Sequence, residues 1–370
     1  MEKSCGELFQ EREKRINDAI SLKIPDRVPL MLELSYFPAK YLNIPYDTAY
    51  YDYDLWLEAN CKTLEDFRPD MAQVAPFFPG KVYEILDSKQ LRMPGQGIDR
   101  YHSHQFIELE CLKADEYDHF MADHSDFLLR RFIPRIFGTL EPFNKIPPFS
   151  ETASGYREFP SLAESLAMPE ICEALEKLIE AGREMSKWRP KMIEFNEKIE
   201  KLGFPLYSAG VEHIPFDHLS YHVRGLHGIY MDMYRQPDKL LQVFDWLLPI
   251  IIKKSIKVAK AKKKKRVSFA LHRGADIFLS PEQFKIFYWP YAEKLIKALI
   301  DEGFIPCIFL EGDYTSRLEY LLELPKGKVL CRFDSSDIFK AKEILKDHLC
   351  IMGDVPCSIL QLGSQQEVQL

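Results

Sequence analysis

Several apolar runs in this sequence end abruptly in residues that can move protons or hold charged groups. Val267–Leu271 runs into His272, Arg273 and Asp276 in LHRGAD, and Pro306–Leu310 into Glu311 and Asp313 in FLEGD. Lys328–Phe333 leads to Asp334 and Asp337 in FDSSD, and His348–Met352 to Asp354 in MGDVP. Earlier, Pro205–Val211 leads to Glu212, His213 and Asp217. An imidazole titrates near neutrality, which suits a general acid or base, so His272 heads the catalytic candidates with Glu311 beside it. Arg273, His213, Asp313 and Asp334 are candidates for binding substrate. His272 and Glu311 could also share a metal with a third carboxylate, although no HxxxH or HxH spacing includes them, so the metal stays open. Asp337 stands immediately before a helical pattern and reads as its N-cap. His102 and His104 form an HxH in a turn-rich stretch and read as surface residues. Cys307, Cys331 and Cys350 occur early in strand-like runs, where a small core residue is the simpler role.

Such residues form a site only if the elements before them deliver them to one rim. The strand candidates begin at Val28, Met71, Pro205, Val267, Pro306, Lys328 and His348. Helical patterns cover Glu7–Leu22, Tyr53–Phe67, Lys113–Phe137, Ser161–Leu202, Gln236–Ala261, Pro281–Glu302, Ser316–Leu324 and Ile338–Leu345. Ser280 precedes Pro281 as an N-cap. Residues 79–104 are rich in turn formers and read as loop and short hairpin; Glu141–Tyr156, with three prolines, reads as loop. Strand followed by helix at this spacing signals parallel βαβ units. In a (β/α)8 TIM barrel the working residues sit at the C-terminal ends of the strands, where these polar clusters fall. The strand candidates are one short of eight. The expectation is an α/β barrel lacking its final β/α unit through truncation at the C-terminus. Residues 1–370 would form one barrel domain, with an excursion and helical insertion at about 79–204.

Composition narrows the classes. The 370 residues are 46% hydrophobic and 28% charged, which is a globular balance and excludes wholesale disorder. The net charge of −7 argues against nucleic acid as a partner. The lysine run 262–265 reads as a solvated helix C-terminus. The eight cysteines are scattered without a CxxC pair, which argues against a zinc ribbon or a disulfide framework. The charged N-terminus does not resemble a signal peptide, and the greasiest stretch, 243–252, is too short for a membrane span. A cytoplasmic protein with no membrane partner is expected. No GxGxxG, GxxxxGK[ST] or GxSxG motif is present to mark a nucleotide fold or a serine hydrolase.

The segment LHRGADIFLSPEQFKIFYWPYAEKLIKALIDEGFIP, with EGDYTSRLEYL, FDSSDIFKAKEIL and CIMGDVPCSILQLGSQQEV, resembles the uroporphyrinogen decarboxylase superfamily. The opening RINDAISLKIPDRVPL resembles the start of the same family. The resemblance implies a single barrel with its pocket at the strand C-termini, and a closing segment after the GDVP turn. In RPDMAQV, Asp70 resembles the position of the family's catalytic aspartate. Family members that decarboxylate tetrapyrroles carry arginines in an RQAGR motif; here the matching stretch reads LELSYFPAKY. Members that methylate thiols carry an HxC zinc motif where this sequence has FLEGD. The resemblance therefore points to a divergent branch near the corrinoid-dependent methyltransferases. It implies an enzyme that moves a methyl group between a corrinoid, such as methylcobalamin used as co-substrate, and a small molecule. The alternatives are a decarboxylase of a carboxylated tetrapyrrole or other carboxylate, needing no cofactor, and a non-catalytic corrinoid- or tetrapyrrole-binding protein. A corrinoid protein as partner and a homodimer both fit the resemblance.

Overall fold

The computed structural model describes residues 3–73, 79–152, 155–211, 213–353 and 356–369. It divides into two compact units. One comprises Met1–Gln10, Leu30–Leu206 and Tyr221–Asp232; the other comprises Glu11–Pro29, Tyr207–Ser220 and Met233–Leu370.

In the first unit, β1 (Met31–Glu33) and β2 (Met71–Gln73) pair in parallel, with Met31 opposite Met71. β1 is shorter than the expected 28–34. Pro29 has no N–H for a ladder, and the Leu30 N–H is taken by the Asp70 carboxylate (2.9 Å). The helix Tyr53–Phe67 packs Trp56, Leu57, Cys61 and Leu64 on a core with Leu34, Ala72, Phe195 and Ile199. Asp52 caps its start through the Leu55 N–H (3.1 Å), and Arg68 ends it in a left-handed turn. The turn-rich excursion does contain a short hairpin, β3 (Leu91–Arg92) against β4 (Gln105–Phe106). The helix expected over 113–137 is broken. Asp123 leaves helical geometry and caps a fresh turn through Asp126 N–H (3.0 Å). The helix expected over 161–202 is two helices, Phe159–Leu166 and Pro169–Lys201, because Pro169 cannot continue the first one's hydrogen bonding and starts the second.

The second unit holds a five-stranded parallel sheet in sequence order: β5 (Ala209–Gly210), β6 (Arg266–Leu271), β7 (Ile305–Leu310), β8 (Leu330–Phe333) and β9 (Cys350–Met352). β5 is only two residues of the expected 205–211. The helix Pro237–Lys262 lies between β5 and β6 and buries Leu240, Val243, Phe244, Leu247 and Ile251, one stripe at helical spacing. Between β6 and β7, Ser280 caps the helical segment from Pro281 to Asp301 with a full capping box, its hydroxyl on Gln283 N–H and the Gln283 side chain on its own N–H. The short helix expected at Ser316–Leu324, between β7 and β8, is a 3-10 helix, Thr315–Glu323. Asp337 caps the helix Ile338–Leu345 through Lys340 N–H (2.9 Å), as its position before the helix implied. Cys307 and Cys331 are fully buried in strands. The seven cysteines whose side chains are described are free thiols. Among the described residues no helix is long and apolar enough to cross a membrane.

Candidate active site

The register of the second unit's sheet decides which rim residues meet. Leu271 pairs with Leu310, and Leu310 with Phe333. The next residue on each strand is His272, Glu311 and Asp334, so three of the expected site residues emerge side by side at the C-terminal edge. The side chains above and below them on this face are Ala270, Phe309 and Arg332, since strand residues two apart share a face.

His272 and Glu311 are in direct contact, Nδ1 against Oε2. The imidazole is held above its ordinary pKa. Burial opposes its charge, but the bond to Glu311 and the negative charges of Asp217 and Glu311 outweigh that. Glu311 moves the opposite way: its bond to His272 lowers its pKa against burial, and His272, Arg273 and Arg332 add attraction. His213 stacks obliquely on His272, with ring centroids 4.8 Å apart. Arg273 lies over the Phe278 ring at 5.0 Å, and Arg332 over Phe309 at 4.2 Å.

Beneath this pair lies Asp217, fully buried. It is on the short helix Pro215–His218 that follows β5. Oδ2 accepts the His272 N–H (3.0 Å) and the Tyr288 hydroxyl (2.6 Å), and Oδ1 accepts the Arg273 N–H (3.0 Å). Burial pushes its carboxyl up, while His272, Tyr288, His213 and the peptide donors pull it back. The Tyr314 hydroxyl donates to the Leu271 carbonyl (2.7 Å). Arg317 donates to the carbonyls of Gly274 and Leu279 and pairs with Asp276 (2.8 Å). Gly274 lacks the side chain that would collide with Tyr288 and Tyr314. The loop bearing His272 is thus gripped at successive residues.

The other expected site residues have different places. Asp334 accepts the Gly312 N–H (2.7 Å) through Oδ1 and so shapes the turn after Glu311. Asp313 is exposed and closes a local turn on Thr315 N–H (2.8 Å). Asp70, in the first unit, is fully buried at the N-terminal end of β2, its carboxylate on Leu30 N–H and its own N–H on Leu30 carbonyl. That is the end of the strand opposite to the one where barrel enzymes work, and the geometry gives Asp70 a structural bond. Glu212 and Asp354 lie outside the described residues.

Sequence reasoning passed over three features. Asp217 was one of several rim acids, with nothing to separate it from the rest. Arg332 had a signal: a cation inside an apolar strand, in LCRF. His104 is half-buried rather than open to solvent; its Nδ1 meets the hydroxyls of Tyr50 (2.6 Å) and Tyr36 (3.0 Å), and burial lowers its pKa. His102 is exposed as expected.

Among the described residues no three His, Cys, Asp or Glu side chains group to hold a metal, and His272 and Glu311 are bonded to each other. No chemical step below runs through a metal of the protein's own.

Parallel strands alternating with helices, with polar residues at their C-terminal ends, define an α/β fold of the TIM-barrel class. The comparisons with known proteins agree. Residues 199–370 match the family model described as uroporphyrinogen decarboxylase (URO-D). A solved structure described as a methyltransferase from Methanosarcina mazei matches with a TM-score of 0.54 at 12% identity, covering 93% of this chain and 82% of that one. At that identity the likeness speaks for the fold. No curated protein matches this sequence.

Proposed function

We propose that this protein catalyses methyl transfer between a small molecule and a corrinoid co-substrate, with His272 as general acid and Glu311 as the group that holds it charged. The observation that carries this reading is the His272–Glu311 pair at the C-terminal edge of adjacent parallel strands, backed by the buried Asp217 carboxylate. The likeness to a methyltransferase fold supports it. When a methyl group leaves an oxygen or nitrogen, the bonding electron pair stays on that atom, which then needs a proton. His272 supplies it, and the methyl carbon passes to the reduced corrinoid. In the reverse direction neutral His272 takes the proton from the acceptor. An imidazole whose pKa is raised stays charged further into the neutral range, as an acid in this role must. Arg273 and His213 border the pair and would orient the substrate.

One observation favours a second reading, decarboxylation of a carboxylated substrate. Arg273 and Arg332 both act on Glu311 and could hold a carboxylate. Asp70 does not support it, being bound to Leu30 at the far end of β2.

The test is an anaerobic incubation with reduced corrinoid and a panel of methyl ethers and methylamines, followed by the methylcorrinoid absorption spectrum. Enzyme-dependent appearance of that spectrum is expected. Its absence with every donor, together with consumption of uroporphyrinogen, would transfer the assignment to decarboxylation. Tight corrinoid binding with neither reaction would identify a binding protein instead.

A further inference from the structure

The Asp217 carboxylate touches neither the substrate side of the pair nor a charged side chain by hydrogen bond; among the described residues its donors are peptide N–H groups and a tyrosine hydroxyl. It lies fully buried, which costs several kcal/mol for a carboxylate unless neighbours compensate it. Its three hydrogen-bond donors are two consecutive peptide N–H groups, those of His272 and Arg273, and the hydroxyl of Tyr288, itself fully buried. A carboxylate used only to tie down a loop could be replaced by a neutral acceptor. Here the charge sits directly under an imidazole that carries the proposed chemistry.

We infer that Asp217, backed by Tyr288, is the positioning residue of the site: it fixes the peptide that presents His272 and holds the imidazole in its charged form. This rests on the reading of His272 as the acid of the reaction. Among the described residues, the groups acting on the imidazole include Glu311 from β7, Asp217 from the helix Pro215–His218, Arg273 from its own loop and His213 from the segment before that helix. The two carboxylates attract the proton and Arg273 repels it, so the two carboxylates together set the balance. Glu311 is half-exposed and open to screening, whereas Asp217 is out of water, where a charge acts over its neighbours with little loss. Tyr288 completes the arrangement by giving the second lone-pair side of Oδ2 a donor. Tyr314 holds the Leu271 carbonyl on the other side of the same peptide. The aspartate thus fixes both where the imidazole is and how strongly it holds its proton, without touching substrate.

The experiment follows the His272 ring signals in the resting, histidine-labelled protein by NMR, assigned by their loss in His272→Gln. Asp217→Asn is expected to move the His272 titration midpoint to lower pH, and Glu311→Gln to move it the same way. A folded Asp217→Asn protein whose His272 midpoint does not move overturns the inference. Should Asp217→Asn fail to fold, Tyr288→Phe tests the same buried charge with the opposite sign. It removes a hydrogen-bond donor from Asp217 and leaves the buried charge less compensated. Its expected result is a midpoint shifted upward, and an unmoved or lowered one overturns the inference. None of these measurements needs turnover. Failure to find methyl transfer would therefore sink the proposed reaction while leaving the titration result to stand or fall separately. In an active protein, Asp217→Asn is expected to lower kcat, to leave KM within about twofold, and to shift the alkaline limb of the pH–rate profile to lower pH.

Discussion

Replacing Gly274 by alanine tests the gripped loop with one methyl group. The added Cβ would stand 2.5 Å from the Tyr314 hydroxyl oxygen and 2.6 Å from Cζ of Tyr288. An ordinary contact is about 3.5 Å, so the deficit is about 1 Å against two rings at once. Neither ring can retreat. Both are fully buried, Tyr288 is tied to Asp217 and Tyr314 to the Leu271 carbonyl. Overpacking of this kind costs roughly 1–3 kcal/mol. Breaking the Tyr288 bond to a charged acceptor would add about 1.5–3 kcal/mol. The expected destabilisation is therefore about 2–4 kcal/mol, the rings yielding partly in each way. Thermal melting should show a Tm lowered by roughly 4–16 °C, at the 2–4 °C per kcal/mol of a domain of 150–250 residues. The proposed reaction should slow further than the melting alone accounts for, because the loop that moves carries His272. A Gly274→Ala protein within about 1 °C of the parent and equally active would refute the claim that the Tyr288–Tyr314 floor is rigid.

Other expectations are simpler to check. His272→Gln should lower kcat by about 10²–10⁴-fold, the usual worth of a general acid, with little change in melting temperature; steady-state kinetics decide it. The His272–Glu311 pair also ties stability to pH. A histidine raised in the folded state contributes stability that is fully present below its unfolded value and is lost as pH rises through the folded one. The lowered Glu311 contributes stability above the unfolded glutamate value, lost as pH falls through the folded one. Urea unfolding should therefore show the pair's contribution greatest between those limits. His272→Gln should flatten the decline on the alkaline side, and an unchanged pH dependence would contradict the pairing. Arg317→Lys should destabilise by about 2–3 kcal/mol, because one ammonium cannot serve two buried carbonyls and a carboxylate in the fork a guanidinium spans; chemical denaturation measures it. Asp70→Asn should lower stability and leave kcat of the folded protein within about twofold, since its carboxylate meets a backbone N–H. A collapse of kcat at unchanged stability would instead restore it to a catalytic role.

The barrel strands were legible because each is a short apolar run followed at once by polar residues. Among the described residues each of the seven parallel strands overlaps an expected run. Their lengths were not legible. Pro29 removes one ladder donor, and Asp70 takes another with its side chain, a partner forty residues away that no local pattern announces. The pairing of His272 with Glu311 was half visible: both follow strands directly, but which residues stand level depends on register. The distinction between Asp217 and Asp313 was not visible at all. Both are acids near a strand end. One is fully buried under the imidazole and the other closes an exposed turn, and only the packing of the helix Pro215–His218 and of Tyr288 separates them. His104 was misread because its partners, Tyr36 and Tyr50, come from distant segments.

The central claim is that His272 delivers a proton to the atom the methyl group leaves. Comparing two donor classes in parent and His272→Gln protein tests it most directly. Methyl ethers leave an oxyanion that needs a proton, whereas methylsulfonium donors leave a neutral thioether that needs none. With methylcorrinoid formation as readout, the account predicts that His272→Gln slows the ether by at least about 10²-fold and the sulfonium by less than about threefold. Equal slowing of both donors, or none of either, would contradict it.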